Sequence, residues 1–519
     1  MRTKIRIVMA VITAAIFGML VTGGCSAAGA AQTEAAQPAE ISTEAAAETA
    51  AVTEAETGET DAPEPAADTD GTAAETAAAD TETDVYGGGI FDTSVVHRID
   101  IRIAPDDWAD LLENPAEKTK YKSAVTIDGE EIENVSCSTK GNSSLIFARD
   151  RFGNGRYSLK INFGKFEKGR RFHGLRKINL NNIFDDSTYM KDYLCYTMFR
   201  RAGVDAPYCS YAWLTINGAD HGLFMIVEEI DESYLSRTGQ DDAVLYKPDS
   251  DKLAAGRGEM ARVIQNGVQA EDYGEGAELG YRGDSIEDYP AIFKNAETDA
   301  DDDDKLRVIE ALKGLSEGED PENYLYTDEI VRYFAVQNFV MNFDCYTGPM
   351  LHNYYLLEND GRLAMLPWDY NGAFGVFWRH IGGEPMDATA FANMGIDTPL
   401  LGAAEEQRPM WKWIADNDSF LEKYHRAMDG FLADYMESGA FEDETDALYE
   451  LLLPYVEKDP TAFVSADRYT SSCKALRIFC QLRAESIRRQ LDGDLAAKTK
   501  DQSPDDRVDA SMITIADLS

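Results

Sequence analysis

The sequence predicts an α+β body, β-rich in its first half and mainly helical in its second, carried behind a disordered tether. Three observations predict it. Short runs of alternating polarity dominate Val95–Val227, helical spacing dominates from Thr327 onward, and residues 26–84 hold fifteen acids and no Lys or Arg. The 519 residues are 44% hydrophobic and 10% aromatic, enough to bury a sizeable core. Lys+Arg number 49 against Asp+Glu 93, a net charge of -44. That excess argues against nucleic acid as a partner, because phosphate backbones need a cationic face. A protein this acidic handles phosphates only in a local pocket of its own.

The elements follow in order. Arg2, Lys4 and Arg6 precede an apolar stretch from Ile7 to Val21, too short to span a membrane comfortably, and then Gly23-Gly24-Cys25. This resembles a bacterial lipoprotein box, residues 1–25 being the signal and Cys25 the lipidated first residue; the alternative is an ordinary secretory signal. Either reading takes the chain out of the cytosol. Residues 26–84 then form the extended acidic tether.

The β-rich half is expected over residues 85–230. Strands are expected at Val95–Ile103, Tyr121–Ile127, Ile132–Thr139, Arg156–Phe163, Lys177–Asn182, Tyr211–Ile216 and Gly222–Val227, with a short helix from Pro105 to Leu112. Asp128-Gly129 and Asn217-Gly218 are hairpin turn signals. Asp186-Ser187 caps a helix over about Thr188–Ala202, stopped by Gly203. The helical half is expected over 231–493, interrupted by an acidic insertion near 249–319 whose Asp301–Asp304 run lacks EF-hand spacing. Trp411, Trp413, Phe420, Tyr424 and Phe431 read as core, and residues 494–519 as a disordered tail. Cys137, Cys195, Cys209, Cys345, Cys473 and Cys480 form no CxxC pair; disulfides and buried thiols are both open.

Chemistry concentrates in Asn342–Gly375. A helix starting near Thr327 ends before Asp344. Tyr354–Leu357 and Leu363–Leu366 form a hairpin on a type I′ turn at Asp360-Gly361. If Asn359 faces Arg362, Asp369 falls opposite His352 and beside Asn353, with Asp344 near. Two carboxylates and an amide are hard oxygen ligands suited to Mg²⁺ or Mn²⁺ bridging phosphates. Protein kinases use the same order of catalytic Asp, metal Asn, hairpin and metal Asp. Upstream, Lys160 stands on a strand before a helix as a phosphate-gripping lysine would, with Asp192 in that helix as its partner.

These motifs, Val125–Ser144 with its KGNSS, Tyr157–Asn182 with LKINF and FHGLRKINLNN, Gly222–Leu235, Leu245-Tyr246-Lys247, HNYYL and LPWDYN, resemble the spore coat protein H (CotH) kinase family across most of Val95–Gly375. The resemblance implies a two-lobed protein-kinase-like fold, with a β-rich N-lobe and a mainly helical C-lobe. It implies ATP with Mg²⁺ or Mn²⁺ as cofactors and γ-phosphate transfer to Ser or Thr of secreted, cell-envelope or spore-coat proteins. Asp344, the catalytic-loop acid, and Lys160 are then the catalytic residues, and Asn353 and Asp369 bind the metal. Lys160, Gly141, Asn142, Ser143, Ser144, Asp192 and Glu228 line the nucleotide. There is no HRD before Asp344, and Tyr370-Asn371 stand where Phe-Gly would follow the metal Asp. A non-catalytic adhesin or envelope-binding module on the same fold, and transfer of a nucleotide fragment, are the alternatives. The acidic body is expected to favour basic, Ser/Thr-rich protein substrates, and the lipid anchor on Cys25 to hold it at the membrane.

Overall fold

The computed structural model describes residues 86–141, 145, 148–250, 274–380 and 386–519. The signal, Cys25, the tether and Asn142, Ser143 and Ser144 lie outside the described residues. The chain divides into two units, Met1–Thr72 and Ala73–Ser519, and every described residue belongs to the second. Among the described residues no helix is long and apolar enough to cross a membrane.

Ten strands carry the sheets: β1 Val96–Ile103, β2 Tyr121–Ile127, β3 Glu130–Thr139, β4 Leu159–Asn162, β5 Lys177–Asn181, β6 Cys209–Ile216, β7 Ala219–Glu228, β8 Val244–Tyr246, β9 Tyr354–Asn359 and β10 Arg362–Pro367. The first seven close into a barrel in the order β1-β2-β3-β4-β5-β7-β6. Closure comes from a parallel pairing of β1 with β6, Val96 facing Tyr211 through Ile101 facing Ile216. The three expected turns, Asp128-Gly129, Asn217-Gly218 and Asp360-Gly361, have φ positive at both residues, as a type I′ turn requires.

The expected two-lobed kinase-like arrangement of a β-rich N-lobe and a helical C-lobe is corrected here. The β-rich part is a closed barrel with no open edge. The helical part contains a second sheet, β10-β9-β8, against which the helix Thr327–Val340 packs. Barrel and helices also share β6 and β7. Inward residues such as Leu214, Phe224 and Ile226 join the barrel core with Ile99, Val125 and Leu159. Outward residues Tyr211, Leu223, Met225 and Val227 join the helical core. Strands buried on both faces read as continuous apolar runs, which explains the sequence of β7 after Gly222.

Two further expectations differ from the structure, one in the β-rich half and one after Gly493. The helix after Asp186 runs Lys191–Arg201, because Asp186 is spent earlier: its carboxylate accepts from the Thr188 N–H and the Lys191 N–H, both at 2.9 Å. The segment 494–519 is not a disordered tail. It makes short 3₁₀ turns and buries Leu495, Val508, Ala510, Ile513 and Leu518. Asn393 grips the backbone of Val508 from both sides, at 2.7 and 2.9 Å. The six cysteines from Cys137 to Cys480 are buried free thiols without disulfides.

A buried latch joins the barrel to the last helices. Arg156 and Asp459 are fully buried and 2.7 Å apart, and Arg156 also donates to the carbonyls of Asn182 (3.0 Å) and Leu223. Gly222, at φ +117, is required there: a Cβ would stand 2.1 Å from an Asp459 oxygen. Replacing Asp459 with Ala strands the guanidinium in the interior, so Asp459→Ala should lose about 3–5 kcal/mol in urea unfolding. A loss below about 1 kcal/mol, the range of exposed pairs, would show that the latch does not hold the two parts.

Candidate functional site

The site lies where the ends of β3, β4, β7 and β10 meet the loop after helix Thr327–Val340. The hairpin register is the expected one, Arg362 opposite Asn359 and Pro367 opposite Tyr354. It delivers Asn353 and Asp369 to the same end of the hairpin. Both are held in left-handed backbone, φ +54 and +57, a conformation that costs a non-glycine residue energy and concentrates at functional sites.

Asn342, fully buried, organises the acids. Its side-chain oxygen accepts from the Asp344 N–H at 3.1 Å, and its amide nitrogen donates to the Asp369 carbonyl at 2.9 Å. The Asp369 N–H donates to the Tyr196 hydroxyl at 3.0 Å, and the Tyr370 N–H to Asp192 at 2.5 Å. Side chains from two helical regions thus clamp the peptide that carries the Asp369 carboxylate. That carboxylate itself has no hydrogen bond or ion pair among the described residues. Asp344, in contrast, is paired: His352 Nε2 lies 2.8 Å from one oxygen as an ion pair, and the Asn353 amide donates to the other at 3.1 Å. Burial opposes a charge on His352, but the Asp344 carboxylate prevails and raises its pKa.

Lysines face these acids. Lys160 pairs with Glu229, which also accepts from Asn179 at 2.5 Å. Burial pushes the Glu229 carboxyl up, but Lys160, Lys177 and Lys140 together bring it down to about 2. Lys140 donates to Asn181 at 2.8 Å, and Lys140 and Lys247 each lie 5.1 Å from the centroid of the Trp368 ring. Lys118 belongs to the same field: burial and then the charges of Lys160 and Lys247 lower its pKa.

Lys160, Asp344, Asn353 and Asp369 therefore converge. Gly141 follows Lys140 at the end of β3, with φ +95. Two expected nucleotide contacts have other partners. Asp192 is not the partner of Lys160; it faces Asp369, and burial and that carboxylate push it up to about 7. Glu228 points away from its neighbour Glu229, locked by Arg237 at 2.8 Å and by Tyr86 at 2.8 Å. Alternation along the strand end puts consecutive glutamates on opposite faces. Sequence reasoning missed Glu229, Lys140, Lys247, Trp368 and Asn342. Lys140 in KGNSS and Trp368 in LPWDYN stand next to residues it did select, which was the available signal.

The oxygen donors fit a hard divalent cation. Asp369 is unpartnered, and Asn353 spends its amide nitrogen on Asp344, leaving its carbonyl oxygen to a ligand. No three His, Cys, Asp or Glu side chains among the described residues form a ready metal cage. One or two carboxylates completed by substrate phosphates and water is how Mg²⁺ usually binds. A separate hollow of about 690 Å³ on the outside of β1–β3, lined by Asp100, Arg102, Lys122 and Asn217, shares no residue with this cluster.

A family described as "CotH kinase protein" matches residues 138–487. The chain is 24% identical over 332 residues to the inner spore coat protein H of Bacillus subtilis (strain 168), covering 63% of this chain and 81% of that protein. It is 34% identical over 84 residues to an inner spore coat protein H-like protein of the same organism, covering 16% of this chain and 25% of that protein.

The carboxyl of Asp192 gives a pH signature. Its folded pKa lies above its unfolded value, so the folded state holds the extra proton between about pH 4 and pH 7, and stability falls as pH rises through that window. Asp192→Asn keeps an acceptor for the Tyr370 N–H but removes the charge. Its urea midpoint, relative to wild type, should be higher at pH 8 than at pH 4; a difference independent of pH would contradict the assignment.

Proposed function

The chain belongs to the CotH family, and from that premise we propose that it is a metal-dependent protein kinase. It transfers the γ-phosphate of ATP to Ser or Thr hydroxyls of spore-coat or cell-envelope proteins. The observation that carries this reading is the unpartnered carboxylate of Asp369, fixed in left-handed backbone beside half-buried lysines. Such a juxtaposition is complementary to a metal–polyphosphate, which brings a cation to the acid and anions to the lysines. The relative's name, inner spore coat protein H, supports the choice of coat proteins as acceptors. The N-terminal Gly-Gly-Cys25 supports a lipid anchor outside the cytoplasm as the place of action.

Asp369 and the Asn353 carbonyl oxygen would hold Mg²⁺ or Mn²⁺, which neutralises charge on the phosphates. Lys160, oriented by Glu229, binds the inner phosphates. The acceptor hydroxyl oxygen attacks the γ-phosphorus as the bond to the β–γ bridging oxygen breaks and ADP leaves with that electron pair. The hydroxyl proton passes to Asp344, whose two oxygens are aimed by His352 and Asn353.

The full-length protein incubated with γ-labelled ATP, Mn²⁺ and a basic Ser-rich peptide should yield labelled peptide and ADP in equal amounts. Asp369→Ala and Asp344→Ala should each lower the rate by at least about a hundredfold. Label transferred at the wild-type rate by Asp369→Ala, or transfer of the α-phosphate instead, would overturn the reading. Preference for an acidic peptide over the basic one would overturn the acceptor assignment.

A further inference from the structure

Acids outnumber bases by 93 to 49 in this chain, so a half-buried lysine rarely lacks a nearby carboxylate to pair with. Two lysines of the site nevertheless have no ion pair among the described residues. Among the described residues, the side chain of Lys140, at the end of the barrel strand β3, meets the neutral Asn181 oxygen and the Trp368 ring. Lys247, just after β8 in the other sheet, lies over Tyr355 at 5.2 Å and Trp368 at 5.1 Å. Burial pushes Lys140 down to about 8 and lowers Lys247 as well, so both ammonium groups are under-compensated in the unliganded protein. Lys160, by contrast, is turned to Glu229.

We propose that Lys140 and Lys247, one from the barrel and one from the small sheet, close over Trp368 as a clamp on the terminal phosphate of the nucleotide, while Lys160 serves the inner phosphates. This rests on the nucleotide-binding reading above and adds which lysine reads which phosphate. The ligand it selects carries a free terminal phosphoryl group: a nucleoside triphosphate over a diphosphate. An ammonium group is a compact point charge, suited to a tetrahedral phosphate that must be released after transfer. Lys247 makes the discrimination depend on the small sheet as well as on the barrel.

Calorimetric titration of the full-length protein with Mn²⁺ and either ADP or the β,γ-imido analogue of ATP tests this. Wild type should bind the triphosphate analogue more tightly. Lys247→Met and Lys140→Met should each weaken the analogue by about tenfold, as expected for a charged hydrogen bond, and ADP by less than about twofold. Lys247→Arg should restore much of the preference, and Lys160→Met should weaken both nucleotides alike. Thermal midpoints near wild type confirm that the variants are folded. If Lys247→Met and Lys140→Met keep the wild-type ratio, or lose both nucleotides equally, the clamp assignment falls while nucleotide binding stands. If wild type binds neither nucleotide, the functional reading falls and this inference with it.

Discussion

One buried asparagine sets the geometry on which the site depends. Asn342 uses its oxygen on the Asp344 N–H and its nitrogen on the Asp369 carbonyl, so two acids far apart in sequence are held by a single rigid amide. The rest of the peptide at Asp369 is fixed by Tyr196 and Asp192 from the helix Lys191–Arg201. With its own N–H, its carbonyl and the next N–H all bonded, Asp369 can remain in left-handed backbone, which costs on the order of 1–3 kcal/mol, and present a carboxylate without a hydrogen bond or ion pair among the described residues. The strain is sustained by a connected buried network, whose members are worth more together than singly.

The second constraint is electrostatic. Burial drives Asp369 and Asp192 toward neutrality and Lys140 and Lys247 toward neutrality from the other side. Glu229 resolves the conflict for Lys160, so that lysine is ordered without a ligand. The remaining charges are left for a cation and a polyanion. An overall charge of -44 then acts at longer range, repelling free anions from the surface while the local lysines attract them at the site. The barrel matters to this arrangement because β3, β4, β5 and β7 are consecutive neighbours in it, and Lys140, Lys160 and Glu229 meet at that part of its wall.

Much of this was legible in the amino-acid order, and the division has physical reasons. The hairpin carrying Asn353 and Asp369 was readable because a two-residue turn at Asp360-Gly361 leaves one register, and the structure keeps it. The strands β1, β2 and β3 were readable from alternation. Barrel closure was not, since the parallel β1–β6 contact spans more than a hundred residues and leaves no local signature. The partner of Lys160 was misassigned to Asp192 for the same reason: choosing between Asp192 and Glu229 needs the tertiary direction of each side chain. The segment after Gly493 was read as disordered because its apolar residues are too sparse to show a period; cover from neighbouring helices and the grip of Asn393 order it.

The central claim is that the peptide clamped by Asn342 presents Asp369 to a metal–nucleotide. Anomalous scattering from crystals of the full-length protein grown with Mn²⁺ and the β,γ-imido analogue of ATP tests it most directly. A manganese peak is expected on the Asp369 carboxylate, with the phosphates running between it and the Lys160 and Trp368 side of the site. Manganese bound away from Asp369, or a nucleotide seated on any other surface of the barrel or helices, would contradict it.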